Sequence, residues 1–151
     1  MLAPIFTKLT AADQPAVRAL ILAGLEEHWG PLDPTLNRDL DDMAITYGHG
    51  QTILARSENR VVATGTVLPL DQESAEIVRM SVCRSQRRTG LGRATVDELC
   101  HRAELMGFTQ VRLETSTAWT GVVAFYQACG FSITHLEPGD FGSNTWFVRQ
   151  L

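Results

Sequence analysis

The first fifty residues alternate between polar and apolar positions with the period of an α-helix. Thr10, followed by Asp13 three positions later, is typical of a helix start, and apolar residues then recur at helical spacing: Val17, Leu20, Ile21 and Leu25. Asp33 and Pro34 form a second start signal, because proline is favoured in the first turn of a helix. One face of that segment carries Leu36, Leu40, Met43, Ala44 and Tyr47. The pattern predicts two helices, preceded by a short strand within residues 4–9.

Between residues 51 and 82 the pattern changes to that of β-strands. The stretch QTILARSENRVVATGTVLPL contains two β-rich runs around a polar turn at residues 57–60, and AEIVRMSV gives a third run after another polar turn. Short polar turns join antiparallel neighbours, whereas parallel neighbours need a longer crossover. We therefore expect three consecutive antiparallel strands.

From Gly90 the helical period returns. The apolar face of this central helix consists of Val96, Leu99, Cys100, Ala103 and Met106, and Gly107 is placed to end it. A strand (QVRLETS), a helix that ends at Gly130, and two closing strands (FSITHL and NTWFVRQL) follow. The order βααβββαβαββ predicts an α/β protein with a mixed sheet. Because 151 residues are about the size of one domain, we expect residues 1–151 to form a single domain.

Composition narrows the functional classes. A net charge of -4 argues against a general nucleic-acid surface, which usually carries a basic stripe. The segment MLAPIFTKLT lacks the features of a secretory signal, and no apolar run approaches the roughly 18 residues of a membrane span. The three cysteines have no close Cys or His partner, so no metal site is predicted. We expect a cytoplasmic protein that binds neither nucleic acid, nor a membrane, nor a metal.

The densest chemical signal is RRTGLG at residues 87–92, directly before the central helix. A P-loop needs Lys followed by Ser or Thr after its last glycine, whereas Arg93 and Ala94 follow Gly92. A dinucleotide-binding fold needs a third small residue where Thr95 stands, and a longer chain beyond the loop. Two interpretations are left, a plain solvated turn and an anion site formed by glycines, arginines and the amides of a helix N-terminus.

The stretch RRTGLG resembles Arg-x-x-Gly-x-Gly, the acetyl-CoA pyrophosphate loop of the GNAT superfamily of N-acetyltransferases. The stretch AFYQACGF at residues 124–131 is similar to the late helix of that superfamily, and AEIVRMSV resembles its central strand. Two positions depart from the family pattern: Trp119 stands where Asn is common, and Val122 where Ala is common. With the order of elements, the resemblance spans nearly the whole chain. It implies a GNAT-like fold, mostly antiparallel, with a parallel strand pair that splays at the cofactor site.

The resemblance also implies a reaction. Acetyl-CoA is the co-substrate, and a primary amine of a small molecule, peptide or protein attacks it directly in a ternary complex. The pantetheine arm would lie along the strand that ends at Val82, and Tyr126 matches the tyrosine that often protonates the leaving thiolate. The alternative for Tyr126 is a tyrosine at the edge of the core. The implied cofactor-binding residues are Val82, Arg87, Arg88, Thr89, Gly90, Leu91, Gly92, Arg93 and Tyr126.

Two broader features follow from the same resemblance. A homodimer is one expected assembly, because dimers are common in the family. The alternative function is a GNAT-like module that binds acyl-CoA as a sensor or partner-binding protein without turnover.

The attacking amine needs a group that accepts its proton, and Glu76 is the first candidate. In a regular strand Glu76, Val78, Met80 and Val82 share one face, and an apolar row would raise the pKa of the carboxyl. AEIV also resembles the strand of the histone-acetylating branch, in which that glutamate is the base. The alternative is a solvated glutamate, and a bulge would invalidate the argument from one face. Glu114 and a water chain are the other candidates.

The acceptor side carries the weakest signal. Residues 26–42 contain six acids against one base, Arg38, which suits a cationic amine. Solvated helix faces explain the same acids equally well. His28 and Trp29 are candidates for the acceptor pocket, with surface and packing roles as the alternatives. The candidate substrate-binding residues are thus His28, Trp29 and Glu114.

Overall fold

The computed structural model describes residues 3–151; Met1 and Leu2, which the predicted domain includes, lie outside the described residues. Within this range the strands are β1 (Phe6–Lys8), β2 (Gln51–Ser57), β3 (Arg60–Pro69), β4 (Ser74–Val82), β5 (Gln110–Ser116), β6 (Ser132–Gly139) and β7 (Gly142–Gln150). The helices are α1 (Gln14–Trp29), α2 (Met43–Thr46), α3 (Leu91–Leu105) and α4 (Thr120–Ala128). The predicted order of elements is confirmed.

All seven strands belong to one sheet with the order β1-β2-β3-β4-β5-β7-β6. Every neighbouring pair is antiparallel except β4 and β5. The described residues of these two parallel strands pair only from Ser74 to Glu76 with Gln110 to Arg112, although both strands continue beyond that point. The predicted mixed sheet with one splayed parallel pair is therefore confirmed.

Helices cover the sheet on two sides. The larger core cluster joins α3 and α4 to the sheet and includes Ile53 of β2, whereas a second cluster joins α1 and the segment around α2 to Leu54. Successive side chains of a strand point to opposite faces, so these two clusters lie on opposite faces of the sheet. Full burial of a side chain such as Leu54, which is 0% exposed, contributes about 1.5–3 kcal/mol.

The second predicted helix is wrong in its length, because α2 spans only Met43–Thr46. The backbone amide of Thr35 donates to the side chain of Asp33 over 2.8 Å, and such a turn competes with the helix. Asn37 then adopts the left-handed region, with φ 60°, which a helix cannot contain. The segment between α1 and α2 consequently consists mainly of turns.

The other helix ends agree with the sequence pattern. α3 ends just before Gly107, where φ is 96°, and α4 ends before Gly130, where φ is 91°. The longest helix is α1, with 16 residues. Within residues 3–151, no helix has the length and the apolar character that crossing a bilayer requires.

Candidate active site

A cleft of about 790 Å³ opens where β4 and β5 separate. Its walls are these two strands, α1, α4 and the segment of residues 87–93, which we call the arginine-glycine loop. Of the predicted site residues, the cleft is lined by His28, Val82, Arg87, Arg88, Gly90, Gly92, Arg93, Glu114 and Tyr126. Trp29, Glu76, Thr89 and Leu91 are not among the lining residues. The splayed strands thus bring most of the predicted site together.

The arginine-glycine loop presents the N-terminus of α3 to the cleft. Gly90 is the N-cap, and the amide of Ala94 donates the first intrahelical hydrogen bond to the carbonyl of Gly90 over 3.0 Å. The hydroxyl of Thr89 donates to the carbonyl of Gln86 over 2.5 Å and holds the turn. The side chain of Leu91 is buried, so any contact it makes with a ligand involves its backbone. Free amides and the helix dipole make this end a suitable anion site.

The two glycines of the loop have different structural roles. Gly90 has φ 89°, which L-residues rarely adopt, and a Cβ built there meets nothing within 4 Å. A Cβ at Gly92 would lie 3.2 Å from two carbon atoms of the Phe125 ring. Gly90 therefore allows the turn, while Gly92 allows α3 to approach α4. The close approach of an anion, which the sequence predicts for both glycines, stays a prediction.

Arg87 is already paired within the protein. It donates to Glu27 of α1 through Nη1 over 2.5 Å and through Nη2 over 3.0 Å, and it also reaches the carbonyl of Val82 over 3.4 Å. The hydrogen bond from Arg87, and then its charge, hold the pKa of Glu27 below its usual value even though burial opposes this shift. Within residues 3–151, neither Arg88 nor Arg93 forms such an ion pair. Their guanidinium groups are available to an anion.

Tyr126 lies at the bottom of the cleft and is 8% exposed. Its ring packs edge-on against Phe125 and Phe131, with centroid distances of 5.2 and 5.9 Å. Its hydroxyl donates a weak hydrogen bond to the sulfur of Met80 on β4, over 3.7 Å. Burial raises the pKa of Tyr126, so the phenol is protonated at neutral pH. It can act as a proton donor.

A bulge interrupts β4 between Val78 and Ser81. On β3, Thr66 pairs with Val78 and Thr64 pairs with Ser81, so the β4 side contains one extra residue. Arg79 lies within the bulge and has φ 54°. The bulge reverses the alternation of side chains along the second half of β4.

The expectation that Glu76, Val78, Met80 and Val82 share one face is therefore wrong. Ile77 belongs to the core cluster of α3 and α4, which leaves its neighbour Glu76 on the opposite face. Met80, beyond the bulge, packs against that core cluster. Glu76 does not head the apolar row that the sequence analysis expected.

Glu76 and Glu114 nonetheless share an environment. Burial, followed by the charge of Glu114, raises the pKa of Glu76. Burial, followed by the charge of Glu137, raises the pKa of Glu114. Only Glu114 lines the cleft, and Glu76 is half-buried behind it. Across the chain from residue 3 onward, no three His, Cys, Asp or Glu side chains are grouped as metal ligands.

The bulge is held by residues that sequence reasoning missed. The guanidinium of Arg79 donates to both carboxylate oxygens of Asp39, over 2.8 and 2.6 Å, and to the side chain of Asn37 over 3.1 Å. The hydroxyl of Tyr47 donates to Asp39 over 2.5 Å, and burial together with Asp39 raises the pKa of Tyr47 to about 12. An arginine in the middle of the apolar run AEIVRMSV was the available signal.

Aromatic rings join the end of α1 to α4. His28 stacks on Trp119, with ring centroids 4.0 Å apart and planes 17° apart. Trp29 lies 5.3 Å from Trp119 and 6.1 Å from Phe141, which precedes β7. His28 and Trp119 line the cleft, whereas Trp29 and Phe141 extend this aromatic group outside it. Trp119 is one of the two residues that depart from the family pattern, and its ring stacks on His28. Val122, the other, lines the cleft.

Solved structures share this architecture. An acetyltransferase of the GNAT family from Staphylococcus aureus Mu50 superposes with a TM-score of 0.85 at 19% identity, covering 99% of each chain. A GNAT family acetyltransferase from Elizabethkingia anophelis with acetyl-CoA bound superposes with a TM-score of 0.74 at 18% identity, covering 100% of each chain. At this level of identity the likeness establishes the fold.

Sequence relatives and a family model agree with this fold. Rat N-acetyltransferase 8F1 is 32% identical over 106 residues, which are 66% of this chain and 48% of the relative. Human N-acetyltransferase 8 is 30% identical over 111 residues, which are 68% of this chain and 49% of the relative. The chain spans about half the length of these curated relatives. The model of the acetyltransferase (GNAT) family matches residues 15–131, and the chain belongs to this family.

Proposed function

We propose that this protein transfers the acetyl group of acetyl-CoA to a primary amine of a small molecule, peptide or protein. The amine attacks the thioester directly while both substrates are bound. The observation that carries this proposal is a single cleft that joins the N-terminus of α3 at Gly90 to the hydroxyl of Tyr126. One end of that cleft suits a pyrophosphate, and the other holds a proton donor.

The arginine-glycine loop supplies the binding groups. The first-turn amides of α3 donate hydrogen bonds to the pyrophosphate, and Arg88 and Arg93 add charge-assisted hydrogen bonds to it. Arg87 can join them only by exchanging its hydrogen bonds with Glu27 for bonds to phosphate. Beyond Glu76, β4 no longer pairs with β5, so this edge of β4 towards Val82 can pair with the pantetheine arm and polarise the thioester carbonyl.

Proton transfers complete the reaction. An alkyl amine with a pKa near 10.4 costs roughly 4–5 kcal/mol to neutralise at pH 7, so a base must accept its proton. Glu114 lines the cleft and Glu76 lies behind it, and the raised pKa of each carboxyl makes it a stronger base. Tyr126 then donates its proton to the departing thiolate. The attacking nitrogen releases its second proton, which restores the phenol of Tyr126, so a neutral thiol and an amide are the products.

The alternative is a module that binds acyl-CoA without turnover, and one variant separates the two functions. Tyr126→Phe removes only the hydroxyl, whose contact is the Met80 sulfur. An enzyme that uses this acid should lose about 10² to 10⁴ in kcat, with little change in the Kd of acetyl-CoA. The assay is CoA release over a panel of polyamines, amino acids, peptides and arylalkylamines. Failure of every amine to raise CoA release above the spontaneous rate would contradict the enzyme and favour the module.

A further inference from the structure

Four aromatic side chains from three separate segments meet beside the cleft. We call His28, Trp29, Trp119 and Phe141 the aromatic cluster. His28 and Trp29 end α1, Trp119 is the N-cap of α4, and Phe141 lies in the turn between β6 and β7. The described residues of the three buried core clusters include none of these four. Their rings contact one another rather than the interior.

The aromatic cluster leaves a large apolar surface in water. Trp29 is 46% exposed and Phe141 is 69% exposed. A contiguous apolar patch that stays exposed marks a site of contact with a ligand or a partner. The cluster is continuous with the cleft, because His28 and Trp119 belong to both. A substrate in the cleft can therefore reach Trp29 and Phe141.

The charges next to the aromatic cluster select the ligand. Glu114 lines the cleft, and its carboxyl interacts with those of Glu76 and Glu137. Arg79, the cation on the adjoining part of β4, is paired with Asp39. The unpaired arginines of the cleft belong to the arginine-glycine loop. An ammonium group is consequently favoured beside Glu114, within reach of flat apolar surfaces.

We propose that the acceptor is a primary ammonium joined by a short linker to an aromatic or similarly flat apolar group. The flat group stacks on Trp29 and Phe141, and the ammonium lies beside Glu114. Offset or edge-on contact between aromatic rings supplies the selectivity, and the ring faces also attract the cation. This inference rests on the proposed function, since it names the class of amine that the same cleft accepts.

The test compares amines that differ in the flat group. With saturating acetyl-CoA, kcat/KM should be at least about tenfold higher for 2-phenylethylamine and tryptamine than for n-butylamine or spermidine. In Trp29→Ala this ratio should fall towards one, and Trp29→Phe should restore most of it. Leu136→Ala is the matched control, because Leu136 is an exposed apolar residue of β6 outside the cluster. It should keep the wild-type ratio.

Calorimetry separates this inference from the proposed function. 2-Phenylethylamine should bind the CoA-loaded protein, and Trp29→Ala should weaken that binding about tenfold while Leu136→Ala does not. Equal kcat/KM values for aromatic and aliphatic amines, or equal binding to wild type and Trp29→Ala, would overturn the aromatic subsite and leave acetyl transfer intact. Binding through Trp29 without CoA release from any amine would support the subsite and contradict acetyl transfer.

Discussion

Arg87 and Glu27 form a bidentate ion pair that links the arginine-glycine loop to α1. The hydrogen bonds measure 2.5 and 3.0 Å and join residues that are 60 positions apart in the sequence. The same guanidinium is the one that the loop motif assigns to pyrophosphate. If Arg87 binds the pyrophosphate, as we propose, it must exchange its hydrogen bonds with Glu27 for bonds to phosphate.

Glu27→Gln should lower the Kd of acetyl-CoA up to about fivefold, because exposed ion pairs are typically worth about 0.2–1 kcal/mol. Glu26→Gln is the control, since it removes the same charge from the preceding position of α1, and Glu26 forms no ion pair with Arg87. Calorimetry at two salt concentrations measures both affinities. Equal tightening in the two variants would mean that only the net charge matters.

Gly90→Ala should damage the loop through backbone conformation. The left-handed φ at Gly90 should cost the variant roughly 1–2 kcal/mol of unfolding free energy. Gly107→Ala makes a matched control, because Gly107 has a similar φ and an open Cβ position at the other end of α3. Urea unfolding should show similar losses for both. Weaker acetyl-CoA binding should occur in Gly90→Ala alone, and an unchanged Kd there would argue against the anion site.

The pH profile should identify the base. A raised carboxyl pKa keeps the group protonated to a higher pH, so kcat/KM should fall as the pH drops through that pKa. If Glu76 is the base, Glu114→Gln removes a repelling charge and lowers the pKa of Glu76. The acidic limb of the pH profile, where kcat/KM falls, then moves to lower pH. Glu76→Gln should then abolish the limb. Loss of the limb in Glu114→Gln instead would assign the base to Glu114.

Asp39 should stabilise the bulge of β4. Burial raises its pKa, but the hydrogen bonds of Arg79 and Tyr47 and the charge of Arg79 outweigh burial and lower it. A lowered folded-state pKa means that this stabilisation is present above the ordinary carboxyl pKa. It is lost as the pH falls through the folded-state pKa.

Asp39→Asn should therefore lower the unfolding free energy by about 1–3 kcal/mol at neutral pH and less at acidic pH. Asp41→Asn is the control, because Asp41 pairs only with exposed arginines, and its effect should stay within about 0.5 kcal/mol. Urea unfolding across pH 3–7 measures both. A pH-independent loss at Asp39 would contradict the ionic contribution.

The sequence predicted the structure of the candidate site best where that structure depends on local backbone. Residues Gly90 to Arg93 combine a turn and a helix start, and both are set by neighbouring residues. It predicted the site worst along β4, where a pairing irregularity with β3 places Glu76 and Met80 on opposite faces of the sheet. A bulge depends on the partner strand and on the contact of Arg79 with Asp39. Neither can be read from the alternation of polar and apolar residues within one strand.

By itself, the sequence determined the order of strands and helices, the ends of α3 and α4, and the arginine-glycine loop. These features follow from periodicity and capping, which act over a few residues. The tertiary structure alone decided that Glu27 meets Arg87 and that Trp29, Trp119 and Phe141 gather beside the cleft. Such contacts join residues far apart in the chain, and their geometry exists only once the sheet has splayed and the helices have packed against it.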